Sequence, residues 1–477
     1  MEAANNRSAD FQSAVSQVCN LFILLFLSSG CAVGPNYKRP QVNAPATFRG
    51  ETQAAATNSI ADLPWWEIFQ DDALRELIRA ALTNSYDLRI AVTRVEQARA
   101  LAAQSRADFF PQLNYSAGAG RNRNAANGVA VFDEGQTASF FKAAGDVSWE
   151  IDLWGRIRRL SESARAQFFA SEEARRDVMI SVIGDVAEAY FQLIALDVQL
   201  EISKRATNAF GESLKIFTER LQGGVASRLE TSSAEAALAS AAATIPDLER
   251  RIALQENQIN VLLGRNPGPI PRNDSLLRTN FSLPEVPAGL PSALLERRPD
   301  IRQAEELFRS ANARVGVALA NFFPNLSLTA LFGHVSPELS AFTSGGANAW
   351  SAAANLAGPI FQGGRLAAQY REAKATREQF WLQYQATVLN AFREVSDALI
   401  SRQKFADARV QQARAVAAYE EAVEVAVDRY RVGQSSYYEV LQEQQQLFPT
   451  QNALVQTRLN QLLDLVQLYR ALGGGWK

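Results

Sequence analysis

The sequence contains two copies of one pattern, and this internal repeat limits the possible folds more than any other feature. ADFFPQL, at residues 107–113, matches ANFFPNL at residues 320–326, which is an offset of 213 residues. YDLRIA and PDIRQA precede the two motifs at the same offset, while the later matches of LWGR with QGGR and of RLQGGVASRLE with RYRVGQSSYYE have an offset of 209. We therefore expect one structural unit to be built twice, with a shorter loop in the second copy.

Each copy contains a helical stretch that is too long for a compact globular domain. Residues 156–222 and 365–432 contain no proline, and their apolar residues recur at spacings of three and four. This spacing is typical of a coiled-coil seam. At 1.5 Å per residue, the first stretch predicts a helix about 100 Å long.

A glycine turn follows each long helix and reverses the chain. Gly223 and Gly224 form the first turn and Gly433 forms the second, because glycine adopts the left-handed conformation that ends a helix. A return helix follows each turn, and Pro246 and Pro449 are expected to interrupt these return helices and to kink them. A further short helix is predicted before each FFP motif, over residues 72–108 and 290–321.

Between the FFP and GR motifs the apolar period changes from about 3.6 residues to two. In residues 141–153, for example, apolar side chains alternate with polar ones such as Lys142, Asp146, Glu150 and Asp152. Strands of about ten residues with this alternation are typical of a membrane β-barrel, although a soluble β-sandwich can also produce it. Four strands cannot close such a barrel, and open edges are not tolerated in lipid. We therefore expect the chain to oligomerise, and a trimer would supply twelve strands.

Composition argues against several classes of function. The 477 residues carry 48 Lys and Arg against 50 Asp and Glu, so no basic excess is available to neutralise nucleic-acid phosphates. With two cysteines, Cys19 and Cys31, and one histidine, His334, the chain lacks the parts for a disulfide framework, a zinc site or a Ser-His-Asp triad. We expect no catalytic or metal site, and we place His334 in a surface loop.

The N-terminus has the pattern of an export signal. LFILLFL, at residues 21–27, is too short to span a bilayer as a helix but suits the apolar core of a signal peptide. The residues before Cys31 resemble the lipobox of bacterial lipoproteins, with Ser28 where an aliphatic residue is usual. This resemblance implies cleavage before Cys31, an S-diacylglycerol group on its sulfur and an N-acyl group such as palmitoyl. The alternatives are an ordinary signal peptide without lipid and a disordered tail.

The motifs together resemble the outer membrane efflux proteins, the TolC-like outer membrane factors. SWEIDLWGRIR, GPIFQGGR and RYRVGQSSYYEVL carry the resemblance, and CAVGPNYKRP places it nearest to the NodT and OprM lipoprotein branch. It implies a mixed fold of α-helices and membrane β-strands. In this fold, four strands per protomer join a shared trimeric 12-strand barrel that continues into a long coiled-coil tunnel. It also implies a passive duct, with no enzyme activity, in the outer membrane of a Gram-negative bacterium. Its partners would be a periplasmic adaptor and an inner-membrane pump, which we expect to be of the RND type.

The domain boundaries follow from the motifs and the resemblance. Residues 1–30 are the signal peptide, 31–70 the lipidated and equatorial segment, 265–291 an equatorial linker and 473–477 the tail. Repeat 1 (71–264) is expected to have strands at 112–122 and 139–153, a long helix at 156–222, a tip at 223–228 and a return helix at 229–263. Repeat 2 (292–472) is expected to have strands at 325–333 and 348–361, a long helix at 365–432, a tip at 433–437 and a return helix at 438–472.

The resemblance also implies a gate at the helix tips. Tyr430 aligns with a tyrosine of the family, Glu230 and Glu439 with an acidic position in each repeat, and Ser435 with a position that is charged in some relatives. Three copies of each glutamate would give a ring of up to six carboxylates that attracts cations. The alternative is that both glutamates lie on solvated helix faces.

Two other functions account for less of the sequence. A soluble coiled-coil scaffold explains the long helices but leaves the alternating segments unexplained. A glycosidase with paired carboxylates would need a pocket-forming fold, for which no pattern is present. The exported compound stays open between drugs, metal ions and signal molecules.

Overall fold

The structure is a computed structural model that describes residues 32–50, 64–68, 71–123, 137–272 and 291–474. Repeat 1 contains α2 (Asp72–Asn84), α3 (Tyr86–Ala107), β1 (Gln112–Arg123), β2 (Thr137–Ile151), α4 (Arg156–Gln222) and α5 (Arg228–Leu262), preceded by the short α1 (Trp65–Ile68). Repeat 2 contains α6 (Leu294–Arg297), α7 (Pro299–Ala320), β3 (Asn325–Ser336), β4 (Asn348–Ala357), α8 (Arg365–Arg431) and α9 (Tyr437–Ala471). The element order is therefore the same in both repeats.

The described chain divides into two compact units. The sheet unit contains the four strands and the helix segments next to them, with residues 32–40, 96–170 and 304–383. The helix unit contains residues 41–95, 171–303 and 384–474 as far as they are described. The predicted signal peptide, Cys31 and much of the two equatorial segments lie outside the described residues.

Local chemistry fixes the ends of the long helices. At the start of α4, the Asp152 carboxylate accepts the backbone N–H groups of Ile157 and Arg158 at 3.0 and 2.9 Å, which satisfies two N–H groups that have no partner within the helix. At the end of α8, Gly433 has φ +79° and the N–H of Gln434 bonds the carbonyl oxygen of Arg429 at 2.8 Å. This is a Schellman ending, which needs a left-handed residue. Equivalent bonds end α4, α5 and α9.

The four strands form one antiparallel sheet in the order β1-β2-β3-β4, with β1 and β4 at its edges. The register aligns the apolar positions of all four strands on one face. Tyr115 lies opposite Gly145, Gly145 opposite Phe332, and Phe332 opposite Trp350. The three aromatic side chains of this row are 91 %, 67 % and 77 % exposed in the single chain. The predicted alternation is confirmed, and the apolar face it produces is left for something outside the chain to cover.

The opposite face of the sheet is polar over its central part. Asn114, Asp146 and Lys142 point to this side, and the Asn114 amide donates to the Asp146 carboxylate across β1 and β2 at 3.3 Å. Because successive residues of a strand point to opposite faces, the register places the polar residues of β1 and β2 together on this face, although Leu331 and Val335 of β3 lie opposite Asp146 and Lys142 on it. The sheet thus has the two-sided character of a membrane-barrel wall.

Three strand predictions need correction. β4 ends at Ala357 rather than at residue 361, because Gly358 and Pro359 follow and proline has no N–H for the ladder. β3 continues to Ser336, so His334 lies within a strand, paired with Ala143 and Asn348, and not in a loop. β2 spans Thr137–Ile151, so it begins and ends two residues before the predicted bounds.

The predictions for the shorter helices also need correction. The single helix expected over residues 72–108 is broken at Ser85, whose backbone is extended at ψ 129°. The one expected over residues 290–321 is broken at Arg298, because a residue that precedes proline is pushed away from the helical region. Pro246 and Pro449 do not interrupt the return helices, which continue through them.

The core of the helix unit is built around the middle of α4. Tyr190, Leu193 and Ile194 are fully buried there, and Leu468 and Tyr469 of α9 are also buried. An 18-residue window of α4 has a mean hydropathy of 1.5, which is high enough for a membrane span, but 67 % of that window is buried within the fold. The apolar residues of this helix are therefore accounted for by packing against other helices.

Candidate gate at the helix tips

The tips of both repeats meet around one aromatic cluster in the helix unit. Phe217 of α4 contacts Tyr430 and Tyr437 edge to face, with ring centroids 5.3 and 4.4 Å apart. All three rings are less than 9 % exposed. Tyr430 comes from the end of α8 and Tyr437 from the start of α9, so the cluster joins the two sides of the second tip to the first long helix. Edge-to-face pairs of this kind add about 0.5–1.5 kcal/mol each to the burial of their area.

Arg220 connects the two long helices at the same level. Its guanidinium carbon lies 4.5 Å from the centroid of the Tyr430 ring, and its Nη1 donates to the Tyr430 carbonyl oxygen at 3.4 Å. A cation over an aromatic face contributes about 0.5–2 kcal/mol, depending on how far it is desolvated. Tyr430, predicted as a gate residue, is thus a buried packing residue within the single chain.

Glu230 and Glu439 occupy equivalent positions at the start of the two return helices. The Glu230 carboxylate accepts the backbone N–H of Ser227 at 3.3 Å, while the Ser227 hydroxyl accepts the N–H of Glu230 at 3.4 Å. This reciprocal pair is a capping box. Glu439 likewise accepts the backbone N–H of Ser436 at 3.4 Å. Both glutamates therefore have a structural role in capping the return helices. Their predicted role in a gate stays a prediction.

Ser435 contacts Glu439 directly. Its hydroxyl donates to Oε2 of Glu439 at 2.7 Å. This hydrogen bond is the main cause that lowers the pKa of Glu439, followed by the bond from the Ser436 backbone. The carboxylate is fully exposed, so it keeps its charge at the surface of the tip. Of the predicted site residues, Ser435 and Glu439 are therefore brought into contact.

The tip glycines do not all have the same role. Gly224 and Gly433 have φ values of +72° and +79°, whereas Gly223 is not in the left-handed region. No neighbouring atom would lie within 4 Å of a Cβ added at Gly224 or Gly433. The requirement for glycine at these two positions is therefore conformational, and Gly223 lacks it.

A groove of about 1110 Å³ runs beside the tips, between α5 and α9. Phe210, Tyr437 and Phe448 form its aromatic side, and small residues of α5, such as Ser233 and Ala237, line the other. The sequence patterns did not single out Phe217, Arg220 or Tyr437. The seam spacing that contains Phe217 pointed to packing alone, and the alignment of RLQGG with RYRVG was the available signal for Arg220.

The two tryptophans near the end of the sheet bond to the FFP turns. The indole N–H of Trp149 donates to the Phe109 carbonyl oxygen at 3.0 Å, and that of Trp154 donates to the Pro324 carbonyl oxygen at 2.8 Å. Trp154 also stacks on Phe323 with centroids 4.7 Å apart.

Within the described ranges, no group of three or more His, Cys, Asp or Glu residues could hold a metal ion.

Comparison with known proteins gives consistent matches over almost the whole chain. The family model described as outer membrane efflux protein matches residues 77–265 and 290–474. The probable efflux pump outer membrane protein TtgC of Pseudomonas putida is 35 % identical over 461 residues, covering 96 % of this chain and 95 % of TtgC. The cation efflux system protein CusC of Escherichia coli is 31 % identical over 458 residues, covering 96 % and 98 %. The solved open state of the MtrE outer membrane channel of Neisseria gonorrhoeae has a TM-score of 0.84 at 30 % identity, covering 94 % of this chain and 99 % of that one.

Proposed function

The chain belongs to the outer membrane efflux protein family, and we propose that three copies of it form a passive duct joined to an inner-membrane pump through a periplasmic adaptor. As a member of this family it is an outer membrane efflux channel with a periplasmic helical tunnel. The trimer, the adaptor and the pump, which we expect to be of the RND type, are the parts that we propose.

The sheet is the observation that supports a shared barrel most directly. It has four strands, one exposed apolar face and two unpaired edges. Unpaired backbone groups cost several kcal/mol each in lipid, so the edges must be paired with other copies of the sheet. Three copies give twelve strands, which lies within the range of known membrane barrels.

The duct is proposed to carry what its pump delivers, without a chemical step of its own. Relatives of similar identity are named for different cargo: a second TtgC of Pseudomonas putida for toluene and CusC for cations. Because such similar channels are named for such different compounds, we propose that the pump, and not the channel, selects the exported compound.

The trimer can be tested on protein purified from outer membranes. Without heating, the chain should migrate in a denaturing gel as a band of three chains, and heating should convert it to the monomer. In a planar bilayer the same protein should conduct ions with no energy source. Recovery of the chain in the soluble fraction, with no heat-sensitive band, would contradict the proposal.

We also propose that Cys31 carries the anchoring lipid and that Glu230 and Glu439 form an acidic ring at the duct entrance. Cys31→Ala should abolish labelling by a fatty-acid analogue while the chain is still exported. If Cys31→Ala is labelled as strongly as the unmodified chain, the lipid is not on this residue.

The two roles of Glu439 can be separated with one substitution. Glutamine can take the place of glutamate in a capping box, so Glu439→Gln keeps the cap and removes the charge. An entrance ring predicts reduced preference for cations in bilayer recordings, with an unchanged melting temperature. Glu424→Gln, at an exposed position on α8, is the matched control. An unchanged cation preference in Glu439→Gln would leave capping as the role of this residue.

A further inference from the structure

The segment directly after the proposed lipidation site is bound by a buried arginine. We call residues Ala32–Tyr37 the docked segment. Arg159 of α4, only 4 % exposed, donates to the carbonyl oxygens of Val33 and Gly34, both at 3.3 Å, and to Oδ1 of Asn36 at 2.6 Å. The same guanidinium pairs with Glu162 at 2.8 Å. A buried guanidinium held in this way fixes the path of the backbone whose carbonyl groups it bonds, since its planar donors have a fixed geometry.

The second repeat contacts the same segment. Asn312 of α7 donates its side-chain amide to the Pro35 carbonyl oxygen at 2.9 Å, and the Tyr37 hydroxyl donates to Glu305 at 2.9 Å. The Tyr37 ring meets Phe308 edge to face at 5.9 Å. The docked segment therefore lies between a helix of repeat 1 and a helix of repeat 2, although it belongs to neither.

Steric fit makes this binding selective for sequence. Gly34 has φ +93°, and a Cβ at this position would lie 2.5 Å from the Gly316 Cα. A Cβ at Gly155 would lie 2.5 Å from the Ala32 Cβ. Contacts this short with backbone or Cβ atoms leave no room for a methyl group, and a left-handed φ is itself unfavourable for residues other than glycine.

We propose that the surface formed by Arg159, Asn312 and Gly316 is a peptide-recognition site for the chain's own mature N-terminus. Its ligand is the Val-Gly-Pro-Asn-Tyr stretch at residues 33–37. The site recognises the backbone carbonyl groups of this stretch, the absence of a Cβ at its glycine, the asparagine amide and the tyrosine hydroxyl. In this proposal the site binds the sequence of the N-terminus, and an acyl chain is not part of what it binds.

The position of the site indicates what docking is for, namely to position the lipid anchor. This step rests on the lipidation of Cys31 proposed above. The Val33 N–H donates to the carbonyl oxygen of Trp154 at 2.9 Å, three residues beyond the end of β2. The described mature chain therefore begins beside the end of β2 that leads into α4. Docking would hold the start of the mature chain, and with it the proposed lipid, at this end of the sheet.

Hydrogen exchange measured by mass spectrometry on the full-length protein tests the site. The Val33 amide, whose N–H bonds the Trp154 carbonyl oxygen, should exchange about tenfold or more slowly in the unmodified chain than in Gly34→Ala, where docking is blocked. Lys38→Ala is the matched control, because Lys38 is exposed and directly follows the segment. Its docked segment should keep the protection of the unmodified chain. Circular dichroism should show unchanged helix content in both variants, since the substituted positions lie outside every helix and strand.

The same measurement on Cys31→Ser separates this inference from the lipid. Undiminished protection in Cys31→Ser supports recognition of the peptide itself, and protection that is lost with the lipid overturns it. Equal exchange in Gly34→Ala and the unmodified chain also overturns it. If the docked segment is protected but the mass of the N-terminal peptide shows no acyl group on the unmodified chain, recognition is supported and its anchoring purpose is overturned.

Discussion

Asp464 offers a direct test of how burial of one carboxyl group affects stability. It lies on α9 and is only 5 % exposed, next to the buried polar residues Thr457 and Gln461 on the same face of the helix. Burial raises its pKa to about 7, and Arg402 acts in the opposite direction. The substitution that tests this is Asp464→Asn, because asparagine keeps the shape of the side chain but cannot ionise.

The magnitude follows from linkage between folding and proton binding. In the unfolded chain this carboxyl group ionises near its ordinary pKa of 3.8, but in the folded chain only near 7. The folded state therefore binds more protons between these values, so stability falls as the pH rises from about 4 to about 7 and is level above that. At 1.36 kcal/mol per pKa unit, the loss amounts to about 4 kcal/mol as an order of magnitude.

The asparagine variant should not lose stability over this pH range, because it has no carboxyl group at this position to ionise. We expect Asp464→Asn and the unmodified chain to unfold at similar temperatures near pH 4, and the variant to be the more stable of the two at pH 8. Thermal unfolding of the detergent-solubilised protein, followed by circular dichroism from pH 4 to pH 8, measures the difference. Asp407→Asn removes a carboxylate that is 66 % exposed and is expected to show no such pH-dependent gain.

The opposite result would refute the reasoning. If Asp464→Asn is less stable than the unmodified chain at pH 8, the carboxylate is ionised and stabilised by Arg402. Burial would then not dominate its pKa. A gain of equal size at pH 4 and pH 8 would show that the substitution acts through packing and not through ionisation.

Three further substitutions test the packing of the helix unit and of its tips. Arg298→Met should lower the free energy of unfolding by about 3 kcal/mol in chemical denaturation. The reason is that Arg298 is 8 % exposed and bonds Asp300, Glu394 and the Ala471 carbonyl oxygen. A loss below about 1 kcal/mol would refute this. Gly184→Ala should lower the melting temperature, because its Cβ would lie 2.5 Å from the Arg470 Cδ and would displace an arginine that pairs with Asp185 and Glu188. Gly211→Ala in the same helix has free space and should raise the melting temperature. Equal shifts would refute the steric argument. Gly433→Ala should cost about 1–2 kcal/mol, because it forces a left-handed alanine at φ +79°, and Gly223→Ala is its control.

Capping explains why acidic residues occur at the same place in both tips. Glu230 and Glu439 each accept the backbone N–H three residues earlier, and this accounts for an acidic residue at each position without any function in transport. A functional role must therefore be shown with a variant that keeps the cap. The glutamine substitution described above meets this condition for Glu439.

The sequence by itself determined the repeat, the long helices and the two-sided character of the strands. α4 begins and ends at the predicted residues, and α8 differs from the prediction by one residue at its end. The reason is that these features depend on local chemistry: side-chain periodicity, the absence of proline, and glycine where the chain must adopt a left-handed conformation. The tip glycines, and the positions of Glu230 and Glu439 at the start of the return helices, could be predicted for the same reason.

Only the tertiary structure decided which residues meet. Nothing local indicates that Gly145 lies in one row with Tyr115 and Phe332, that Phe217 contacts Tyr437, or that Arg159 binds the residues after Cys31. These contacts join residues far apart in the chain, and they depend on strand register and helix packing, which single-residue patterns do not encode. His334 shows the same limit, because it belongs to β3 through its cross-strand partners rather than through the pattern around it.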